Sequence, residues 1–230
     1  MMIFRNGFLY VANSSLTGQV SRFNANTGAF VNTFVAAGSG GLSNPEGMVF
    51  GPDGNLYVTT DGGSVLRYNG TTGAFIDTFI AAHSGGLASA RGVVFGLDGN
   101  LLVTNFNFAG GGVLRFNGTT GAFIDSFVAA GSGGLVSPRP LVFGPDNNLY
   151  VGDFGGGSVL RYNGTTGAFI DQFVPPGSGN LAGPTFLVFN QGGGGTVPET
   201  SSTFTLLGMS LALWHISRSS ENLPSDLSLC

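Results

Sequence analysis

The 230-residue chain has 41 glycines, 9% charged residues and a net charge of −4. Against average usage of roughly 7% glycine and 25% charge, this excludes an ordinary mixed domain. There is no lysine, and the eight arginines (Arg5, Arg22, Arg67, Arg91, Arg115, Arg139, Arg161 and Arg218) form no basic cluster. The electrostatic footprint of a DNA- or RNA-binding protein is therefore missing, and no nucleic acid is expected as a partner.

The opening MMIFRNGFLYV has no basic segment followed by an apolar core, so no secretory signal is expected in this chain. Met1-Met2-Ile3-Phe4 instead lines up with Gly47-Met48-Val49-Phe50, in the middle of a repeating unit. The clearest copy is FGPDGNLYVTTDGGSVLRYNGTTGAFIDTF from Phe50, and close copies follow from Phe95 and Phe143. The anchoring residues Phe4, Phe50, Phe95, Phe143 and Phe189 are 46, 45, 48 and 46 residues apart. A period of this size means one supersecondary unit stacked on copies of itself.

Within the second copy, 47–50 reads as a short apolar strand ended by the reversal Gly51-Pro52-Asp53-Gly54. Leu56-Tyr57-Val58 follows as a second strand, and Thr60-Asp61-Gly62-Gly63 turns the chain into Val65-Leu66-Arg67-Tyr68. Asn69-Gly70-Thr71-Thr72-Gly73 makes a hairpin into a fourth strand at 75–80, Asn-Gly being chosen because both residues tolerate positive φ. Four antiparallel strands in about 46 residues, with no helical periodicity, predict an all-β fold, a β-propeller of four-stranded blades.

Complete copies are predicted at 4–49, 50–94, 95–142 and 143–188. A partial fifth, at 184–190, supplies one extra inner strand. A closed ring usually completes one blade with strands from both termini, so this surplus predicts a piece of a larger ring. A Gly/Ser/Thr linker with a Val-Pro-Glu step covers 191–203, and an apolar segment with a polar tail covers 204–230. The apolar run is short of the roughly 20 residues that span a bilayer. Cys230 is the only cysteine, which leaves no disulfide framework within the chain.

The Gly-rich approach, apolar strand and Gly-Pro-Asp-Gly-Asn-Leu-Tyr-Val, followed by Asp or Asn, resemble NHL-type propeller repeats. They are also similar to the gluconolactonase-like and streptogramin-lyase-like propellers. Val197-Pro198-Glu199, the Ser/Thr patch, the apolar run and Arg218 resemble a degenerate PEP-CTERM sorting tail. That resemblance implies a bacterial secreted or cell-surface protein, with a membrane-associated sorting peptidase acting on the tail.

Strand order places the Gly-Pro-Asp-Gly and Asn-Gly-Thr-Thr-Gly turns on one face of the ring. The Gly-Ser-Gly-Gly loops and the loops after the second strands fall on the other, where variable loops on a rigid frame favour binding. Two registers point there. The second strand ends at Asn13, Thr60 (with Asp61), Asn105 and Asp153; just before the innermost strand stand Glu46, Arg91, Arg139 and Thr185. Arg91 and Arg139, with Glu46 and Asp61, are the candidates for holding a small anionic or sugar-like ligand, or a protein partner, at the channel mouth. The gluconolactonase-like resemblance implies instead a cation on Glu46, Asn105 and Asp153, with Asn13, and an oxygen-only set suits Ca²⁺ or Mg²⁺. The bland alternative pairs Glu46 with the arginines and uses Asn and Asp as turn caps.

Arg22, Arg67, Arg115 and Arg161 recur at one equivalent place in each repeat and, like the recurrent Asp77, Asp125 and Asp171, belong to the scaffold; no hydrolytic triad is visible. The expectation is a non-catalytic binding module without a cofactor. The alternatives are a divalent-metal-dependent lactonase or lyase, and a structural cell-surface repeat protein; an incomplete ring would also invite self-association.

Overall fold

A computed structural model describes residues 1–107 and 110–189. The linker and apolar tail, including the stretch that resembles a sorting signal, lie outside the described residues. Among the described residues sixteen strands form four antiparallel sheets, each joining four consecutive strands in chain order. The first blade holds β1 (Met2–Arg5), β2 (Phe8–Asn13), β3 (Gln19–Asn24) and β4 (Phe30–Val35). The second holds β5 (Pro45–Phe50), β6 (Leu56–Thr60), β7 (Val65–Tyr68) and β8 (Phe75–Ile80). The third holds β9 (Ala90–Phe95), β10 (Leu101–Asn105), β11 (Gly112–Phe116) and β12 (Phe123–Val128). The fourth holds β13 (Pro138–Phe143), β14 (Leu149–Asp153), β15 (Ser158–Tyr162) and β16 (Phe169–Val174). This is the propeller that the repeats predict.

Core lies between blades. Tyr10, Val20 and Phe34 of the first blade pack with Met48, Leu56, Val58 and Tyr68 of the second in one buried cluster. Two further joints repeat the arrangement. The aromatic contacts are edge-on, the geometry that ring quadrupoles favour. Tyr57 meets Phe79 of its own blade at 4.9 Å and Phe95 of the next at 5.1 Å.

The recurrent arginines and aspartates are cross-strand neighbours on the third and fourth strands. Arg67 Nε and Nη2 donate to Asp77 Oδ1 and Oδ2 at 3.1 and 2.5 Å, and Arg115–Asp125 and Arg161–Asp171 repeat the fork. In the first blade Asn32 takes the acid's place, accepting from Arg22 Nε at 3.1 Å. These arginines also lie over the outer-strand phenylalanines, Arg67 over Phe79 at 4.9 Å. They are scaffold.

The Asn-Gly hairpins differ from expectation. Positive φ falls on the last glycine, Gly73 (+75°), and on neither Asn69 nor Gly70. Asn69 Oδ1 instead accepts from the backbone N–H groups of Thr71 and Thr72 at 3.0 and 2.9 Å, an Asx cap in place of the two-residue hairpin turn. Gly70 is required for another reason: a Cβ there would lie 1.8 Å from the Gly54 carbonyl oxygen. The Gly-Pro-Asp-Gly and Asn-Gly-Thr-Thr-Gly turns thus abut on one face, as predicted. Burial alone would raise the Asp53 carboxyl's pKa, but hydrogen bonds from Asn55 and Tyr57 outweigh it and hold it below the ordinary value.

The ends of the array do not meet. Phe34, Phe79 and Phe127 are 4%, 7% and 8% exposed beneath the following blade, whereas the equivalent Phe173 is 44% exposed. The four blades form an open arc. Segment 184–189 sits on the fourth blade in the expected innermost position, with Leu187 buried and Phe189 4.7 Å from Tyr150. The extra inner strand expected there is not formed among the described residues: 184–188 belongs to none of the four sheets.

The turn-to-turn contact is directly testable. Gly118→Ala puts a carbon 1.9 Å from the Gly99 carbonyl oxygen, and is expected to destabilise by about 1–3 kcal/mol in chemical denaturation. Gly62→Ala, whose added carbon meets only Thr60 Oγ1 at 3.8 Å, should stay within about 0.5 kcal/mol of wild type.

Candidate functional site

Each of β5, β9 and β13 carries a bulge near its start. Pro45 pairs with Thr60 and Met48 with Val58, so Glu46 and Gly47 together oppose Thr59. Ala90 and Val93 frame the same irregularity around Arg91 and Gly92, and Pro138 and Leu141 around Arg139 and Pro140. Glu46, Arg91 and Arg139 therefore sit inside the innermost strands, not just before them as the repeat pattern predicts. The innermost strands begin earlier because Pro45, Ala90 and Pro138 still pair with the second strand. A bulge re-aims side chains and is a common device beside functional sites.

The groups freed by the bulge are satisfied by a threonine. Thr59 Oγ1 accepts from Gly47 N–H at 2.7 Å and donates to the Arg91 carbonyl of the next blade at 2.8 Å. Thr104 does the same for Gly92 N–H (2.6 Å) and the Arg139 carbonyl (3.0 Å). The glycines are obligatory: a Cβ on Gly47 or Gly92 would lie 2.3 Å from the next blade's carbonyl oxygen. In the fourth blade Pro140 replaces the glycine and has no N–H to satisfy, and Gly152 replaces the threonine. A Cβ on Gly152 would lie 2.6 Å from the Pro140 ring. The two changes compensate each other.

At the channel mouth the bulge residue of each blade is matched with the residue that follows the second strand. The pairs are Glu46 with Asp61, Arg91 with Phe106, and Arg139 with Phe154. Arg91 forms ion pairs with both acids of the preceding blade, through Nη1 to Glu46 Oε1 and through Nη2 to Asp61 Oδ1 at 2.7 Å. Ser89 Oγ also donates to Asp61 Oδ1, at 3.1 Å. The Arg91 guanidinium lies 5.0 Å from the Phe106 ring centre, and that of Arg139 lies 5.1 Å from the same ring and 4.0 Å from Phe154. Among the described residues Arg139 has no ion-pair partner, and its Nε is buried without a hydrogen bond. Burial, and then repulsion from Arg91, hold its pKa below the ordinary arginine value, against the attraction of Glu46 and Asp61.

The structure thus brings Glu46, Asp61, Arg91 and Arg139 into one constellation. It engages the other sequence candidates differently. Asn105 Oδ1 accepts from Ala88 N–H at 2.9 Å while its Nδ2 donates to the Gly86 carbonyl at 3.0 Å. Asp153 is buried and accepts from Val136 and Ser137 N–H at 3.1 and 2.7 Å. Both clamp the incoming Gly-rich loop to the end of the second strand. Asn13 is exposed at the end of β2 opposite Gln19. No group of three or more His, Cys, Asp or Glu side chains that could hold a metal ion occurs among the described residues. Phe106 and Phe154 are site residues that the sequence pattern alone does not single out. Their signal was a polar register (Ser14, Asp61) turning aromatic in the two copies that also carry a bulge arginine.

A strictosidine synthase-like, N-terminal family model matches residues 33–68. No curated protein matches the sequence. Among solved structures, Kuenenia stuttgartiensis hydrazine synthase is 20% identical with a TM-score of 0.56, over 73% of this chain and 46% of that one. A streptogramin B lyase is 17% identical with a TM-score of 0.56, over 76% and 54%. Virginiamycin B lyase from Staphylococcus aureus is 16% identical with a TM-score of 0.55, over 81% and 58%. The chain spans about half the length of these proteins. At such identities the likeness is one of fold, and function must be argued from the site.

Thr104→Val keeps the shape of the bridge and removes its hydroxyl. It should leave Gly92 N–H and the Arg139 carbonyl short of a partner and destabilise by about 1–3 kcal/mol in urea unfolding.

Proposed function

We propose that the chain is a non-catalytic binding module of the β-propeller class that takes a carboxylate-bearing ligand at the channel mouth. The observation that carries this reading is Arg139: a half-buried guanidinium between two phenylalanine rings, with no counter-ion among the described residues. Arg91, by contrast, already has Glu46 and Asp61. A desolvated cation on a rigid strand supports binding of a planar anion, which an arginine fork meets through two parallel hydrogen bonds. Phe106 and Phe154 offer apolar flanks for a sugar-like ring or for the chain of an acidic residue on a protein partner. Secretion or surface display belongs to the same proposal and rests on the Val-Pro-Glu and apolar pattern of the tail.

The metal-dependent lactonase or lyase reading asks Asn105 and Asp153, whose side-chain oxygens already accept from loop backbone N–H groups, to hold a cation as well. The binding reading asks nothing further of either residue.

Calorimetric titration with sugar acids and their neutral parent sugars tests the proposal. The acids should bind and the neutral sugars should not, and Arg139→Ala should weaken binding by at least tenfold, the loss of about 1.5–3 kcal/mol expected for a hydrogen bond to a charged group. Equal affinity for acid and neutral sugar, or undiminished binding by Arg139→Ala, would overturn it.

A further inference from the structure

The two ends of the arc present the two halves of a single interface. Met2, Leu9, Val11 and Phe23 on the first blade hold the places that Met48, Leu56, Val58 and Tyr68 hold on the second. Met48 is 1% exposed and Met2 53%. On the fourth blade the exposed Phe173 holds the place of Phe79, whose cover is the third blade, while Tyr150, in the place of Tyr57, is buried beneath the chain's own 184–189 segment. The interface that occurs three times within the chain is thus offered once more, one half at each end. Ser21, where later blades have Leu66, Leu114 and Leu160, is the one polar departure on the first face.

We propose that two copies of the chain associate head to tail, the fourth-blade face of each seating on the first-blade face of the other. A heterologous contact of this kind closes when its rotation closes. Each arc superposes on roughly half of the solved propellers that it resembles, so a ring of that size has room for a second arc. The joint has one further consequence. Segment 184–189 of one copy and β1 of the other claim the same innermost position, since Phe189 meets Tyr150 as Phe50 meets Tyr10. β1 has four residues and exposes Met2 and Phe4, whereas 184–189 buries Pro184 and Leu187. The exchange therefore releases β1 and pairs 184–189 with β2 of the partner.

Sedimentation velocity on the full chain over a range of concentrations tests this. A monomer–dimer equilibrium is expected. Val11→Glu blocks one face and Phe173→Glu the other, so each variant should be monomeric alone, while an equimolar mixture recovers dimer through its one intact pair of faces. Val188→Pro, at an exposed position that belongs to no strand in the single arc, should abolish the dimer and leave the melting curve unchanged at concentrations where the wild-type chain is itself monomeric. A monomer at every concentration, as when the chain's own 204–216 segment covers a face, would overturn the proposal. So would dimer persisting in either glutamate variant, failure of the mixture to recover it, or growth into open filaments. Circular dichroism of each variant separates loss of association from loss of fold.

Discussion

Neighbouring innermost strands approach so closely that nothing larger than hydrogen fits between them at Gly47 and Gly92. That approach sets the rest of the architecture. Sheets that converge so tightly at the axis must splay outward, and the widening gap is filled by aliphatic side chains and then by the Tyr–Phe–Phe joints. It also forces the bulge, because a regular ladder would leave no room for the glycine and its neighbour on one strand opposite a single residue on the other. The threonine hydroxyl is the chemical counterpart of that geometry. It satisfies the N–H stranded by the bulge and ties it to the carbonyl of the next blade, so local irregularity and inter-blade contact are one interaction.

Function follows from the same irregularity. The bulge residue cannot join the ladder, and its side chain is turned to the channel mouth, where residues from successive blades meet. In the second blade that residue is an acid, and in the third and fourth an arginine. The arrangement is asymmetric: two acids face one arginine, and the next arginine is left between aromatic rings. Partial desolvation makes such a cation costly to leave unpaired, which is the physical reason for assigning the ligand to Arg139 and not to Arg91, which already has two acids.

The fold was legible because repetition separates scaffold from variation without any other sequence to compare. Arg67, Arg115 and Arg161 recur with Asp77, Asp125 and Asp171, and the structure joins them as forks. The assignment of turns to faces also followed from strand order alone. The hairpin mechanism did not follow: Asn69-Gly70 reads as a positive-φ pair, yet Gly70 is needed because the Gly54 carbonyl oxygen fills the space a side chain would take. The bulge was invisible too, since two residues opposing one leaves no mark in a single strand's pattern. Phe106 and Phe154 were missed because an aromatic residue after a strand reads as more strand. Only their position beside Arg91 and Arg139 gives them meaning.

The most direct measurement of the central claim is the NMR signal of the arginine Nε–H groups during titration with a sugar acid. The account predicts that Arg139 shifts and its proton exchange slows, while Arg67, Arg115 and Arg161, already held by aspartates, stay where they are. An unmoved Arg139, or equal shifts across the scaffold arginines, would contradict it.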